Sequence, residues 1–249
     1  MAGNFVVGQA SKIVLYAGKT TPNAEVVIKG LNKMAPPLGW TSSFTSIAEF
    51  GVPVDIQVAS GLKYDSVNCS GNFTVKDPTQ PIIRKYSLNA TQIKDMRFYL
   101  DQCHFVALDL ISNPGGYYQI GSCTSPSGDK SGVYTFGFDV SPAGTSTLFE
   151  NHRIGLGCTI TKTGTVVKLT VTSGWVAAGF KPGQVLIIDH LTAAIDPLYL
   201  QINTVSDTEI VCVDAVGDYS TVPATTSSIA TTAIHSGEAM AFDTVNVSC

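Results

Sequence analysis

Apolar and polar residues alternate with a period of two along much of the first half of the chain. Val54, Ile56 and Val58 alternate with Asp55, Gln57 and Ala59, which predicts a half-buried strand. Val67, Cys69, Phe73 and Val75 then share one face, opposite Ser66, Asn68, Ser70, Asn72 and Thr74. Gly71 falls on the apolar side, where a bulge or a close backbone approach is expected. Tyr134, Phe136, Phe138 and Val140 form a third alternating strand, and less regular strands cover 12–17, 25–29, 104–111 and 117–122. One segment departs from this period. Asn89 is placed as an N-cap with Gln92 three residues on, and Ile93, Met96, Leu100 and Cys103 recur at helical spacing. That pattern predicts an amphipathic helix over 90–102, packed on a sheet.

Residues 36–52 fit neither period. Trp40, Phe44, Ile47 and Phe50 stand between Pro and Gly punctuation, and an extended loop is expected there. Large apolar groups on such a loop either fold over the chain's own core or insert into a neighbour. After Arg153 the pattern changes to short β-branched strands separated by turns: 167–171, 185–188, 198–202 and 210–213. Even spacing of short strands points to a small sandwich or barrel. Residues 217–236, rich in Thr, Ser and Ala, read as a loop or loose edge, and 239–247 as a closing strand. The fold class expected is mainly β: a sandwich or barrel with one packed helix over 1–155, then a small all-β domain over 156–249.

Charge sharpens this division. Residues 1–155 hold 12 Lys/Arg against 11 Asp/Glu, whereas 156–249 hold 3 against 8. Neither part has a basic cluster able to neutralise phosphates, which argues against tight nucleic-acid binding. Charged residues are only 14% of the 249, leaving a surface of Ser, Thr, Gly and Asn that costs little to desolvate in a permanent assembly. The N-terminus lacks the basic and apolar regions of a secretory signal, and no apolar run reaches membrane-spanning length. Folding in a cytoplasm is therefore expected, with Cys69, Cys103, Cys123, Cys158, Cys212 and Cys249 reduced and serving as small buried hydrophobes.

Candidate chemistry is sparse. No Cys pair has zinc spacing, and no G-x-S-x-G elbow, phosphate-binding Gly loop or calcium loop occurs. Cys103 and His104 are sequence neighbours and point to opposite faces of a strand, a poor nucleophile and base. His190 reads as a turn histidine and Gly115-Gly116 as a turn. The expectation is no catalytic residue, no metal and no cofactor.

The order of elements resembles the tube-forming major tail proteins of long-tailed bacteriophages. The likeness rests on the N-terminal arm and strand, the extended loop 36–52, an alternating pair of strands ending at 64–75, the single helix over 90–102 and strands closing with 132–138, over roughly 5–155. In the second part Trp175, the run from Gly179 to Ile187, then Tyr199, Ile202, Val205, Thr208 and Ile210-Val211 are similar to a small β module common in phage tail proteins. Gln184 stands where that module commonly has an acidic residue.

The resemblance implies a virion protein, made in the host bacterial cytoplasm, whose hexameric rings stack into a tail tube and whose inner sheets close into one barrel. Its partners would be further copies of itself, the tape-measure protein and the terminator and tip proteins, with DNA passing through unbound and no membrane involved. Trp40, Phe44, Ile47 and Phe50 become candidates for the grip between subunits. Asp55, Gln57, Asn68, Ser70 and Asn72 become candidates for the lumen face, or equally for an outer solvated face. A module on the outside of such a tube would collide with a sheath, which favours a flexible, non-contractile (siphovirus-type) tail. The alternatives are another virion β protein, such as a capsid decoration or minor tail protein, and a carbohydrate-binding module using Trp40, Trp175, Tyr117, Tyr118 and Tyr219.

Overall fold

β-Branched and aromatic residues at alternate positions build nineteen strands and one helix among the described residues of a computed structural model. The structure describes residues 11–19, 25–34, 40–47, 56–74, 76–124, 126–128, 132–152, 154, 157–189, 197–216, 225–229 and 233–238. In the first part the strands are β1 (Lys12–Leu15), β2 (Val26–Ile28), β3 (Leu31–Lys33), β4 (Trp40–Ile47), β5 (Ile56–Tyr64), β6 (Val67–Asn72), β7 (Gln92–Ile93), β8 (Met96–Tyr99), β9 (His104–Leu108), β10 (Tyr117–Cys123), β11 (Thr135–Ala143) and β12 (Ser146–Asn151). The helix α1 (Gln80–Leu88) lies between β6 and β7. The second part holds β13 (Cys158–Thr163), β14 (Val166–Thr170), β15 (Val185–Ile188), β16 (Leu198–Val205), β17 (Glu209–Val216), β18 (Thr225–Ile229) and β19 (Ile234–Glu238). The protein is mainly β with antiparallel pairing, as the alternating pattern predicts.

Two sheets face each other in the first part. A five-stranded sheet runs β3-β6-β11-β10-β7, and opposite it lies the β12-β9-β8-β1-β2 half of a twelve-stranded sheet. The core between them joins Ile13, Leu15, Phe98, Phe105 and Phe149 to Val67, Tyr118, Ile120, Phe138 and Val140. Burial along β6 alternates as the sequence pattern requires, with Val67, Cys69 and Gly71 inward. At Gly71 the expected close approach is real: a Cβ there would lie 2.1 Å from the carbonyl oxygen of Gly30 on the neighbouring segment. A second core fills the C-terminal part around Trp175, Phe180, Ile160, Leu169, Leu200 and Ile210.

The helix is not where its apolar spacing placed it. Residues 90–102 form β7, β8 and a turn, and α1 occupies 80–88 instead. Asn89 closes α1 at its C-terminal end, its N–H donating to the Lys85 carbonyl 3.1 Å away, and Ala90 takes a left-handed φ of 47°. Pro81 lies in the first turn, where its missing N–H costs nothing. Before it, Asp77 Oδ1 accepts from the Thr79 backbone N–H and hydroxyl at 2.8 and 2.6 Å. The misleading stripe has a plain cause. Met96, Arg97 and Phe98 are all buried because β8 runs between β1 and β9 with both faces covered, so Met96 happened to match helical spacing with Ile93.

One segment expected to be a loop contains a strand, and one read as a loop or loose edge contributes an edge strand, β18, to the large sheet. Residues 40–47 within 36–52 form β4, and 217–236 contains β18 and the start of β19. Four cysteines, Cys69, Cys123, Cys158 and Cys212, are free, while buried Cys103 is disulfide-bonded, against the expectation of six reduced thiols. Its partner and the proposed closing strand 239–247 lie outside the described residues.

Candidate assembly surface

Between β3 and its sheet neighbour β6 the chain forms a separate ribbon. β4 and β5 pair only with each other among the described residues, from Trp40 opposite Tyr64 to Ile47 opposite Ile56, as a separate two-stranded sheet. A register shift between Ser43 and Phe44 places a bulge at its middle. Ser42 through Ser46 are all exposed, and Phe44 shows 60% of its surface to solvent. A Cβ added at Gly61, across from Ser43, would meet nothing within 4 Å. Among the described residues each strand of the ribbon therefore has one edge with no sheet neighbour, the arrangement that natural proteins cover by pairing with another strand.

Of the four grip candidates, the ribbon brings three onto one strand. Trp40 and Ile47 form the ends of β4 and Phe44 its centre. Phe50 lies outside the described residues, as does Asp55 among the lumen candidates. Gln57 lies on β5 opposite Ser46. Asn68, Ser70 and Asn72 share the polar face of β6, opposite Asp139, Gly137 and Thr135 of β11. Their neighbours are hydroxyls and one carboxylate. Ser66 and Ser141 exchange a hydrogen bond at 2.9 Å, Ser122 donates to Asp139, and the Gly137 N–H donates to Thr124 Oγ1 at 2.8 Å. Lys33 borders this face. The surface is close to neutral and satisfied within itself, a poor adhesive for a polyanion.

The described thiols near these surfaces and in the second core are held protonated. Burial pushes the Cys69 and Cys212 thiols up to about 12 and the Cys158 thiol to about 11, so none is a ready nucleophile. Among the described residues no group of three or more His, Cys, Asp or Glu side chains is placed to hold a metal ion. No described helix is long and apolar enough to cross a membrane. Trp175 and Tyr118, named above as possible sugar-stacking rings, are fully buried in the two cores, which leaves them no face for a glycan.

A cluster that sequence reasoning missed lies between the two cores. Arg97 of β8 donates to both carboxylate oxygens of Asp189 at 2.5 and 2.6 Å, and His235 of β19 contacts Asp189 Oδ2 at 2.9 Å. Burial alone would raise the Asp189 pKa. The Arg97 charge and these hydrogen bonds outweigh it and hold the carboxyl well below the usual range. Nearby, Tyr199 donates to Asp95 at 3.4 Å and Lys19 pairs with Asp95 at 2.9 Å. The available signal was the position of charges beside unbroken apolar runs: Arg97 between Met96 and Phe98, and Asp189 directly after Val185–Ile188.

No family model matches this sequence, and no curated protein matches it. Among solved structures it is similar to a chain in the tail of an empty gene transfer agent particle with C6 symmetry, at 12% identity and TM-score 0.40, over 56% of this chain and 96% of that one. It is similar to a chain of the six-fold symmetrised anti-feeding prophage baseplate at 11% identity and TM-score 0.37, over 59% of this chain and 97% of that one. It is also similar to the SPP1 Dit protein, a hub of the adsorption apparatus in phages of Gram-positive hosts, at 10% identity and TM-score 0.31, over 92% of this chain and 98% of that one.

Proposed function

We propose that this chain is a non-catalytic structural protein of a virion tail, a subunit that joins copies of itself into stacked hexameric rings forming the tube through which DNA leaves. The observation that carries this reading is the β4–β5 ribbon. Eight- and nine-residue strands are long for an isolated hairpin, and a two-stranded sheet in water is marginal without a third partner. A neighbouring subunit supplies that partner, and six such additions around an axis close a barrel with no free edge. The polar face bearing Asn68, Ser70 and Asn72 then lines the channel, and its lack of a basic cluster lets DNA slide. Tape-measure, terminator and tip proteins are the partners this role entails, and the tail is of the flexible, non-contractile kind.

Negative-stain imaging of the purified protein, beside a Phe44→Ser variant, tests this. Wild type is expected to give six-fold rings or hollow tubes, and the variant to remain a folded monomer with an unchanged circular dichroism spectrum. A wild-type protein that stays monomeric at high concentration, or forms lasting trimers in place of rings, overturns the tube role. Tubes from the Phe44→Ser protein overturn the part assigned to the ribbon.

A further inference from the structure

The twelve-stranded sheet has an unusual join. Reading across it, β18-β13-β14-β17-β16-β15 belong to the second part and β12-β9-β8-β1-β2 to the first, with β19 alone between them. Ile188 opposes Ile234 on one side of β19, and Asn151 opposes His235 on the other. The five residues that join the halves within the sheet thus come after every other described strand.

Three features suit this segment to that position. Its backbone comes so close to β12 that a Cβ on Gly237 would lie 2.0 Å from the Leu148 carbonyl oxygen, so a side chain there would separate the strands. His235 reaches Asp189, which Arg97 already grips, tying β19, the end of β15 and β8 together with buried charge. Its faces are divided: Ile234 packs in the second core, and the His235 ring stands edge-on to Phe105 of the first, with centroids 5.1 Å apart.

We infer that β19 is a locking strand: its insertion between β12 and β15 makes the two parts one cooperative unit, with the Arg97–Asp189–His235 cluster fixing its seat. The second part is then held at a set angle on the first, and a load applied to it passes through hydrogen-bonded strands into the first core. This stands whether or not the protein forms a tube.

Native-state hydrogen exchange on the full chain, read against added urea, tests the lock. In the wild type, amides of β9 and β12 are expected to open together with those of β14 and β16, with one free energy and one urea dependence. In Gly237→Val the two sets separate by tenfold or more in exchange rate. The milder His235→Gln keeps the fold. It is expected to speed exchange in β12 and β15 by about tenfold, the worth of one buried charged hydrogen bond, and to leave β14 within twofold. Two independent sets in the wild type overturn the inference, as does a folded Gly237→Val protein whose sets stay together. Uniform acceleration in His235→Gln assigns that histidine to ordinary core packing and removes the cluster from the lock. Should Gly237→Val fail to fold, the wild-type and His235→Gln profiles decide.

Discussion

Arg97 shows how a single residue ties sequence to architecture here. Its guanidinium is 1% exposed, so its charge must be matched, and Asp189 matches it in a two-pronged pair. Removing one partner leaves an uncompensated buried charge. Arg97→Met is therefore expected to cost about 3–5 kcal/mol in urea denaturation, and the double change Arg97→Met with Asp189→Leu to recover most of it. His152 is one residue-scale source of pH dependence. It is buried with its ring against Phe180 and its Nδ1–H donating to the Ala178 carbonyl, and burial pushes its pKa down to about 4 against that opposing hydrogen bond. An unfolded chain takes up this proton near 6.5, the native protein only near 4. Stability is then full above 6.5 and falls as pH drops towards 4, by up to about 3 kcal/mol. His152→Asn keeps a donor without a titration, and a flatter denaturation profile between pH 6.5 and 4 is its expected signature.

At the scale of elements, pattern was informative where one face of a strand is wet. β6 and β11 have such faces, and Val67, Cys69, Phe136, Phe138 and Val140 point inward as their alternation predicts. It failed at β8, where three successive residues are covered, because a strand buried on both faces has no period of its own. It missed α1, which has no side-chain N-cap hydrogen bond and no acidic residue in its first turn to mark its start, and whose Pro81 sets that first turn. At β4 the Ser and Thr between Trp40 and Ile47 hid a strand whose central residues are exposed, so no buried face marked it. The ribbon's polarity also yields a prediction. Since Ser42 to Ser46 touch no core, Thr45→Asp is expected to shift thermal unfolding by no more than about 2 °C while lowering the assembled fraction seen by sedimentation.

Across the whole molecule, β15 is one of the strands that serve both cores, as β16 does with Tyr199 in the first and Leu198, Leu200 and Ile202 in the second. Val185 and Ile187 pack in the first, Leu186 and Ile188 in the second. Leu186→Ala and Ile187→Ala are each expected to cost about 2–5 kcal/mol. Proton NMR should locate the damage differently, with Trp175 ring shifts changing in the Leu186 variant and Phe105 and Phe149 shifts in the Ile187 variant. The sequence by itself determined a mainly β chain, the inward faces of β6 and β11, and a short apolar strand over 185–188. Those properties follow from side-chain period and composition, which are local. Only the tertiary structure decided that 185–188 is covered by two different cores, that residues 234–238 lie between β12 and β15, and that Arg97 meets Asp189. Each of those depends on pairing between residues tens of positions apart, where the partner is set by which buried charge and which unpaired strand edge still need satisfying, and no local pattern records that.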